Sequence, residues 1–477
     1  MIFTKDAVKD INIAYIGGGS RGWAWTFMSD LALESQLSGI IKLYDIDFES
    51  AYSNEIIGNK ISKMKEAKSI WEYKAVKSIE EALDGADFVI ISILPGTFEE
   101  MVSDIYTPEK YGIYQSVGDT VGPGGIVRAL RAVPMFVEFA EAIKKYSPKA
   151  WVINYTNPMT ICTRTLYEVF PEIKALGACH EVLGGKKLLA DMLIDSGEIE
   201  ISKEKIEEET QKIMEEIQTN VLGINHFTWF SKATYKNHNL IKLFGEFAEK
   251  YYKTGFDKYE GEKGWKENYF TCGHRVKFDL YKRYGLVPTS NDRHLVEFMG
   301  PLYLKDHDTI KRWKFHLTPV SYRIKRQQEL YEMSKQFIKG DKEIPLEVSH
   351  EEGVKIIKAI LGLKEVITNI NIPNIGQMRG IPMGAVVETN AIFTKDSVIP
   401  VVAGELPYDL QSIVIKHVYN QELTLKAAIK KDKNLAFRAF INDPLVDPIV
   451  NVEIEKAEEL FNIMLKNTKE YLQGWEI

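Results

Sequence analysis

Four short segments of this 477-residue chain hold side chains able to do chemistry: Gly118-Asp119-Thr120-Val121-Gly122-Pro123-Gly124-Gly125, Asn154-Tyr155-Thr156-Asn157-Pro158, Cys179-His180-Glu181-Val182 and Gly223-Ile224-Asn225-His226. A thiolate and a neutral imidazole, Cys179 and His226, can hold a divalent metal. They stand 226 − 179 = 47 positions apart. Spacing alone therefore does not separate a ligand pair from a buried free cysteine and a satisfied core histidine. Asp119, set among glycines, is either a turn former or a proton donor, and the second role needs a pKa raised by burial or by a neighbouring carboxylate. Upstream, Gly17-Gly18-Gly19-Ser20-Arg21-Gly22 matches G-x-G-x-x-G. Gly17, Gly19, Ser20 and Gly22 would let the backbone turn tightly against a pyrophosphate whose charge faces a helix N-terminus. Asp45, in Leu43-Tyr44-Asp45-Ile46-Asp47, stands where an acid bonds the ribose 2′-hydroxyl, with Asp47 as the alternative. An acid there favours NAD over NADP, because a 2′-phosphate would be repelled.

These groups need a scaffold that brings them to one place. Ile11 to Ile16 is a short apolar run ending in glycines, and Trp23 to Leu33 carries apolar residues at helical spacing. Strand, turn and helix follow. Further strands are expected at Ile40–Tyr44, Tyr73–Val76, Phe88–Leu94, Trp151–Asn154 and Ala175–Ala178, with helices at Phe48–Ala67 and Val133–Tyr146, Pro134 lying in the first turn of the latter. Continuous apolar strands alternating with helices predict an α/β fold with a Rossmann-type, doubly wound parallel sheet, whose strand ends converge on the ligand crevice. The alternation fades after about residue 195, beginning with a charged helix over Glu204–Gln218. The expected division is a nucleotide-binding domain over 1–195 and a mixed α+β substrate and oligomerisation domain over 196–477. Tyr252–Thr271 reads as a surface loop or lid.

Composition excludes several other classes. With 45% apolar residues, 27% charged residues and a net charge of −7, the chain has core material for roughly two or three domains and is not disordered. Nucleic acid is not an expected partner, since phosphate recognition calls for a basic face. A membrane is not expected either, because the most apolar run, Ala86–Pro95, is far below the ~20 residues of a spanning helix. Met1 to Asp10 lack the apolar core of a secretory signal, and Cys162, Cys179 and Cys272 are too few for a disulfide framework. A reducing cytoplasm is the expected location.

Taken in order, Gly-Gly-Gly-Ser, Asp-Ile-Asp, Gly-Pro-Gly-Gly, Thr-Asn-Pro, Cys-His-Glu-Val and Gly-Ile-Asn-His resemble glycoside hydrolase family 4. Phe278-Asp279-Leu280-Tyr281-Lys282-Arg283-Tyr284-Gly285 and Ile372-Pro373-Asn374-Ile375-Gly376 extend the resemblance over essentially the whole chain. It implies a lactate/malate dehydrogenase-like superfold and a glycosidase that uses NAD and a divalent metal, commonly manganese. Oxidation at the sugar C3 makes the C2 proton acidic, the metal stabilises the resulting enolate, and the aglycone leaves by elimination. No two-carboxylate pair is then required.

Carried onto this sequence, the resemblance makes Cys179 and His226 the metal ligands and Asp119 the acid for the leaving group. Asp279 takes the position of the C2 base, with Tyr281 or Tyr284 as alternatives. Asn154 and Asn157 would reach the nicotinamide ribose and the sugar hydroxyls, and His180 would touch substrate. Cys-His-Glu-Val resembles members acting on unphosphorylated α-glycosides, above all α-glucuronidases and α-galacturonidases. A uronate carboxylate wants an arginine, and the candidates are Arg128, Arg131, and Arg293 with His294. Expected alternatives are an α-glucosidase or α-galactosidase of the same mechanism, or a malate-type 2-hydroxy-acid dehydrogenase. The resemblance also implies a homodimer or homotetramer.

Overall fold

The computed structural model describes residues 1–199, 206–258, 264–349 and 351–477. Six parallel strands form the centre of a large sheet, in the spatial order Trp71–Val76, Leu37–Tyr44, Val8–Ile16, Phe88–Ile91, Trp151–Asn154 and Lys174–Gly177. The order reverses between Val8–Ile16 and Phe88–Ile91, which is the point where an open α/β sheet leaves a crevice. Phe88–Ile91 is buried at every position, as a central strand covered on both faces must be. The expected Rossmann-type parallel sheet is the observed one.

The later part of the chain returns to this sheet. Val366–Pro373 pairs antiparallel beside Lys174–Gly177, followed by Val386–Thr394 and Ser397–Pro400. Val76, Tyr44, Ile16, Ile91, Asn154, Gly177, Asn371 and Glu388 are successive Cα partners in one row across eight strands. Three strands from beyond residue 195 thus complete the sheet that the first part begins. A second, antiparallel sheet joins Gln218–Ile224, Phe227–Tyr235, His238–Asn239 and Val287–Pro288. Ile224 pairs with Phe227, so Asn225 and His226 form its two-residue turn, with His226 at φ +64°. That left-handed conformation is one histidine tolerates better than β-branched residues.

One helix differs from the expectation. The Val133–Tyr146 segment is the end of a longer helix, Gly122–Tyr146, so Gly122-Pro123-Gly124-Gly125 is its first turn and Pro134 lies inside it. Proline suits the first turn because its missing N–H would be unpaired there. The glycines are needed for contact: a Cβ on Gly125 would sit 2.5 Å from the Thr120 carbonyl carbon, and one on Gly124 2.8 Å from the Gly118 oxygen. The loop bearing Asp119 is pressed against this helix start. Phe48–Ile61 is shorter than expected, and Ile206–Glu216 is the described part of the charged helix, Glu204 and Lys205 lying outside the described residues. Of the expected loop Tyr252–Thr271, residues 259–263 are also outside them.

Farther along the Gly122–Tyr146 helix, Arg131 is clamped by both oxygens of Asp104 at 3.0 and 2.6 Å, with side chains 1% and 2% exposed. Removing one partner leaves an uncompensated buried charge. Asp104→Ala is expected to lower the unfolding free energy by about 3–5 kcal/mol, read from the shift of the urea midpoint. A loss below about 1 kcal/mol, the worth of an exposed pair, would show that the pair is solvated.

Candidate active site

The nucleotide turn is built by close contact. Gly17 has φ +93°, and a Cβ there would lie 2.0 Å from the Ser92 oxygen on the neighbouring strand end. No other residue fits that turn. Gly19 donates its N–H to Asp45 Oδ2 at 2.9 Å, while Asp47 N–H reaches Asp45 Oδ1 at 2.9 Å. Asp45 therefore sits at the turn, its pKa raised mainly by burial. Asp47 instead caps the Phe48–Ile61 helix. Gly22 caps Trp23–Leu33, whose first turn has no acidic residue, and a Cβ on Gly22 would meet nothing within 4 Å. Open space before an uncompensated helix N-terminus fits a pyrophosphate. Asn54, fully buried, holds the turn from below by donating to the Gly18 and Ser20 oxygens at 2.7 and 2.9 Å. It has no sequence signature, because its role comes from a helix packed under the turn.

Asp119, His226 and His294 form the first group of metal-capable side chains, their ligand atoms all within 4.8 Å of one another. Thr120 ties it together. Its hydroxyl donates to Asp119 Oδ1 at 2.8 Å and lies 2.8 Å from His226 Nδ1. One hydroxyl proton serves one acceptor, so His226 Nδ1–H donates to Thr120 and Nε2 keeps the lone pair a metal needs. Burial holds both rings neutral, lowering His226 and His294 to about 3. Burial raises Asp119, and the facing rings with Arg128 more than offset it, leaving the carboxyl low at about 2. The raised pKa expected of a proton donor is thus absent. Asp119 is a carboxylate among cation-capable neighbours and suits a ligand better.

Cys179 stands beside this group. It hydrogen-bonds the Asn225 side chain, and burial with the nearby Glu388 and Glu181 holds its thiol well above the ordinary range. Glu388 accepts from Asn369 at 2.6 Å and from Asn225 at 3.3 Å. Glu181 Oε1 lies 3.8 Å from His294 Nε2, and its Oε2 accepts from the Asn291 N–H. His180, its side chain 51% exposed, pairs with Glu351 at 3.2 Å. The Glu351 hydrogen bond raises it to about 9 against the opposing pull of desolvation. His294 was visible in the sequence only as a cation beside Arg293. Glu388 lies in a strand that also carries Thr389, Asn390 and Thr394, so nothing in the sequence singled it out.

Other expected residues fall differently. Asn154 is fully buried in the strand row and bonds locally to Thr156 and Thr163, so its amide does not reach out. Asn157 accepts Met159 N–H on its side chain and Arg128 Nε on its carbonyl. Asp279 does not join the group: Tyr252 and Tyr303 donate to its two oxygens and Arg283, one turn on, pairs with it at 2.8 Å. Tyr281 donates to the Ile241 carbonyl and Tyr284 packs on Trp229. The spacing that suggested a base belongs to a helix face held by an i, i+4 ion pair. A second metal-capable group, Cys272, His274 and Asp292, is already satisfied. Asp292 accepts the Val276 and Lys277 N–H groups and the Lys277 ammonium.

A glycine cradle for a dinucleotide and an adjoining carboxylate, imidazole and thiol set define a cofactor-assisted enzyme site. Residues 12–195 match the model of the family 4 glycosyl hydrolases, and residues 221–446 match the C-terminal domain of that family. The chain belongs to glycoside hydrolase family 4 and is a glycosidase. It is 56% identical over the full length of both chains to the alpha-galacturonidase of Thermoanaerobacter italicus. It is 48% identical to that of Bacillus subtilis over 98% of this chain and 99% of the relative. The solved Bacillus subtilis protein lplD superposes with a TM-score of 0.88 at 48% identity, over 96% of this chain and all of that one. A 6-phospho-alpha-glucosidase from gut microorganisms, solved with NAD and Mn2+, shares the fold at a TM-score of 0.78 and 19% identity, over 97% and 99% of the two chains. Family membership removes the malate-type dehydrogenase alternative.

Thr120→Val keeps the side-chain shape and deletes the hydroxyl that orients Asp119 and His226. Outer-shell changes of this kind weaken metal binding by about 10–100-fold, to be read by electron paramagnetic resonance of free Mn2+. An unchanged affinity would remove Thr120, and with it the Asp119–His226 arrangement, from the metal site.

Proposed function

We propose that the protein hydrolyses α-galacturonides with bound NAD and a divalent metal. The observation that carries the reading is full-length identity of 48–56% to four relatives named alpha-galacturonidase, against 28% to the Bacillus subtilis alpha-galactosidase. The Gly17 turn and Asp45 would hold NAD, and Asp119, His226 and His294, with Cys179 beside them, would hold the metal, manganese by family. When bound, these groups supply a two-electron acceptor for the C3 carbinol and Lewis-acid polarisation of the neighbouring oxygens.

The chain's own residues set the remaining conditions. Buried neutral imidazoles and an ionised Asp119 present lone pairs without a proton to displace. Cys179 must lose its proton to act as a ligand, which ties its use to the metal. His180, half-exposed and raised to about 9 by its Glu351 hydrogen bond, is proposed to contact the substrate. A reducing cytoplasm suits three free thiols, and among the described residues no helix is long and apolar enough to cross a membrane. A homodimer or homotetramer is proposed from the family.

In the presence of NAD+, Mn2+ and a thiol reductant, 4-nitrophenyl α-galacturonide is expected to release nitrophenol at least about 100-fold faster than the α-galactoside and α-glucoside, the discrimination of a site that pairs a substrate charge. NADH absorbance should not accumulate. Equal rates on the neutral glycosides would overturn the substrate assignment.

A further inference from the structure

Three arginines next to the metal-capable group, Arg128, Arg293 and Arg323, form no ion pair among the described residues, whereas nearby Arg131 is clamped by Asp104. Arg128 donates Nε to the Asn157 carbonyl at 3.0 Å. Arg293 is 4% exposed, donates Nη2 to the Thr318 hydroxyl and leaves Nε without a partner. Its guanidinium lies 5.1 Å from the centre of the Phe270 ring. Arg323 is half-buried in the first turn of Val320–Lys339, a helix with no acidic residue in that turn.

The contacts fix these groups in one place. Phe270 packs on Tyr322 at 5.7 Å, so one ring touches both Arg293 and the residue before Arg323. Thr318, which takes the Arg293 bond, donates its N–H to Ser116 at 3.0 Å, and the Ser116 hydroxyl donates to the Arg293 carbonyl. The Asp119 loop, the start of Asp292–Phe298 and the start of Val320–Lys339 are thereby joined. His294, next to Arg293, belongs to the metal-capable group. Of the nearby acids, Glu297 accepts the Val117 and Gly118 N–H groups on Oε1 and leaves Oε2 without a partner, and Glu181 accepts from Asn291. Burial first and then Arg323 hold Arg293 down to about 10, against the opposing pull of Glu181 and Glu297.

Unpaired cations gathered at a helix N-terminus repel one another, and an anionic ligand relieves that repulsion. A planar carboxylate matches the guanidinium fork. We propose that Arg323, together with Arg293, binds the C6 carboxylate of the sugar, and that Arg323 sets the preference for a uronide over a neutral glycoside. This assignment rests on the galacturonide reading.

The test compares wild-type holoenzyme with Arg323→Gln and Arg323→Lys on 4-nitrophenyl α-galacturonide and its methyl ester, which keeps the sugar ring and the linkage and adds one methyl group while removing the charge. Wild type should prefer the acid. Arg323→Gln should raise KM for the acid about 10–100-fold and leave KM for the ester within about two-fold, with Arg323→Lys in between. Mn2+ and NAD affinity and the melting temperature should stay at wild-type values. An unchanged KM for the acid, or equal increases for acid and ester, would overturn the role of Arg323 while the galacturonide reading stands. A wild type that cleaves the ester or the neutral galactoside but not the acid would overturn both.

Discussion

Backbone pairing that sets Ile16, Ile91, Asn154 and Gly177 side by side is the constraint on which the site depends. Parallel strands in register end at one edge, so the loops that follow them leave the sheet together. The glycine turn follows Ile16, Thr156 and Asn157 follow Asn154, and Cys179 and His180 follow Gly177. The same row continues through Asn371 to Glu388, which brings a late strand's carboxyl to Asn225 at the base of the His226 turn. A sheet closed by strands from the far end of the chain thus sets both sides of the crevice.

Charged groups around and away from that crevice are buried from water. Most are settled within the protein: Arg131 with Asp104, Asp279 with Arg283 and two tyrosines, Asp292 with Lys277. Among the described residues, the Asp119, His226 and His294 set and the three arginines that form no ion pair keep unmet capacity. Unmet polar capacity in a buried site costs stability and marks where ligands belong. The division is also chemical: neutral rings and a carboxylate suit a metal, and guanidinium groups suit an anion.

Much of this was legible in the sequence, and the failures have physical reasons. The strand, glycine turn, helix and Asp45 could be read because a pyrophosphate-sized turn imposes local rules on each residue. His226 and Cys179 came through resemblance, having no spacing signature of their own. Asp279 lies on a helix face that carries Asp and Arg four apart, a pattern that reads the same in sequence whether it faces a crevice or closes on itself. Asn154 ends its strand, and a polar residue there can turn into the row as easily as out of it, which sequence does not distinguish. Arg323, Thr120 and Glu388 were unreadable for a shared reason: their neighbours come from distant segments, through Phe270, His226 and Asn225, and only the packed chain brings them together. The helix expected from Val133 begins at Gly122 instead: glycine and proline usually break helices, whereas here close backbone contact demands them.

The proposed galacturonidase reading, with NAD and a metal, implies cleavage by removal of the sugar's C2 proton rather than by direct displacement with paired carboxylates. The measurement closest to it is hydrolysis of 4-nitrophenyl α-galacturonide in D2O, with the released galacturonate examined by proton NMR and mass spectrometry. The account predicts deuterium at C2 of the product. Product that keeps protium at C2, formed at full rate by the holoenzyme, would contradict it.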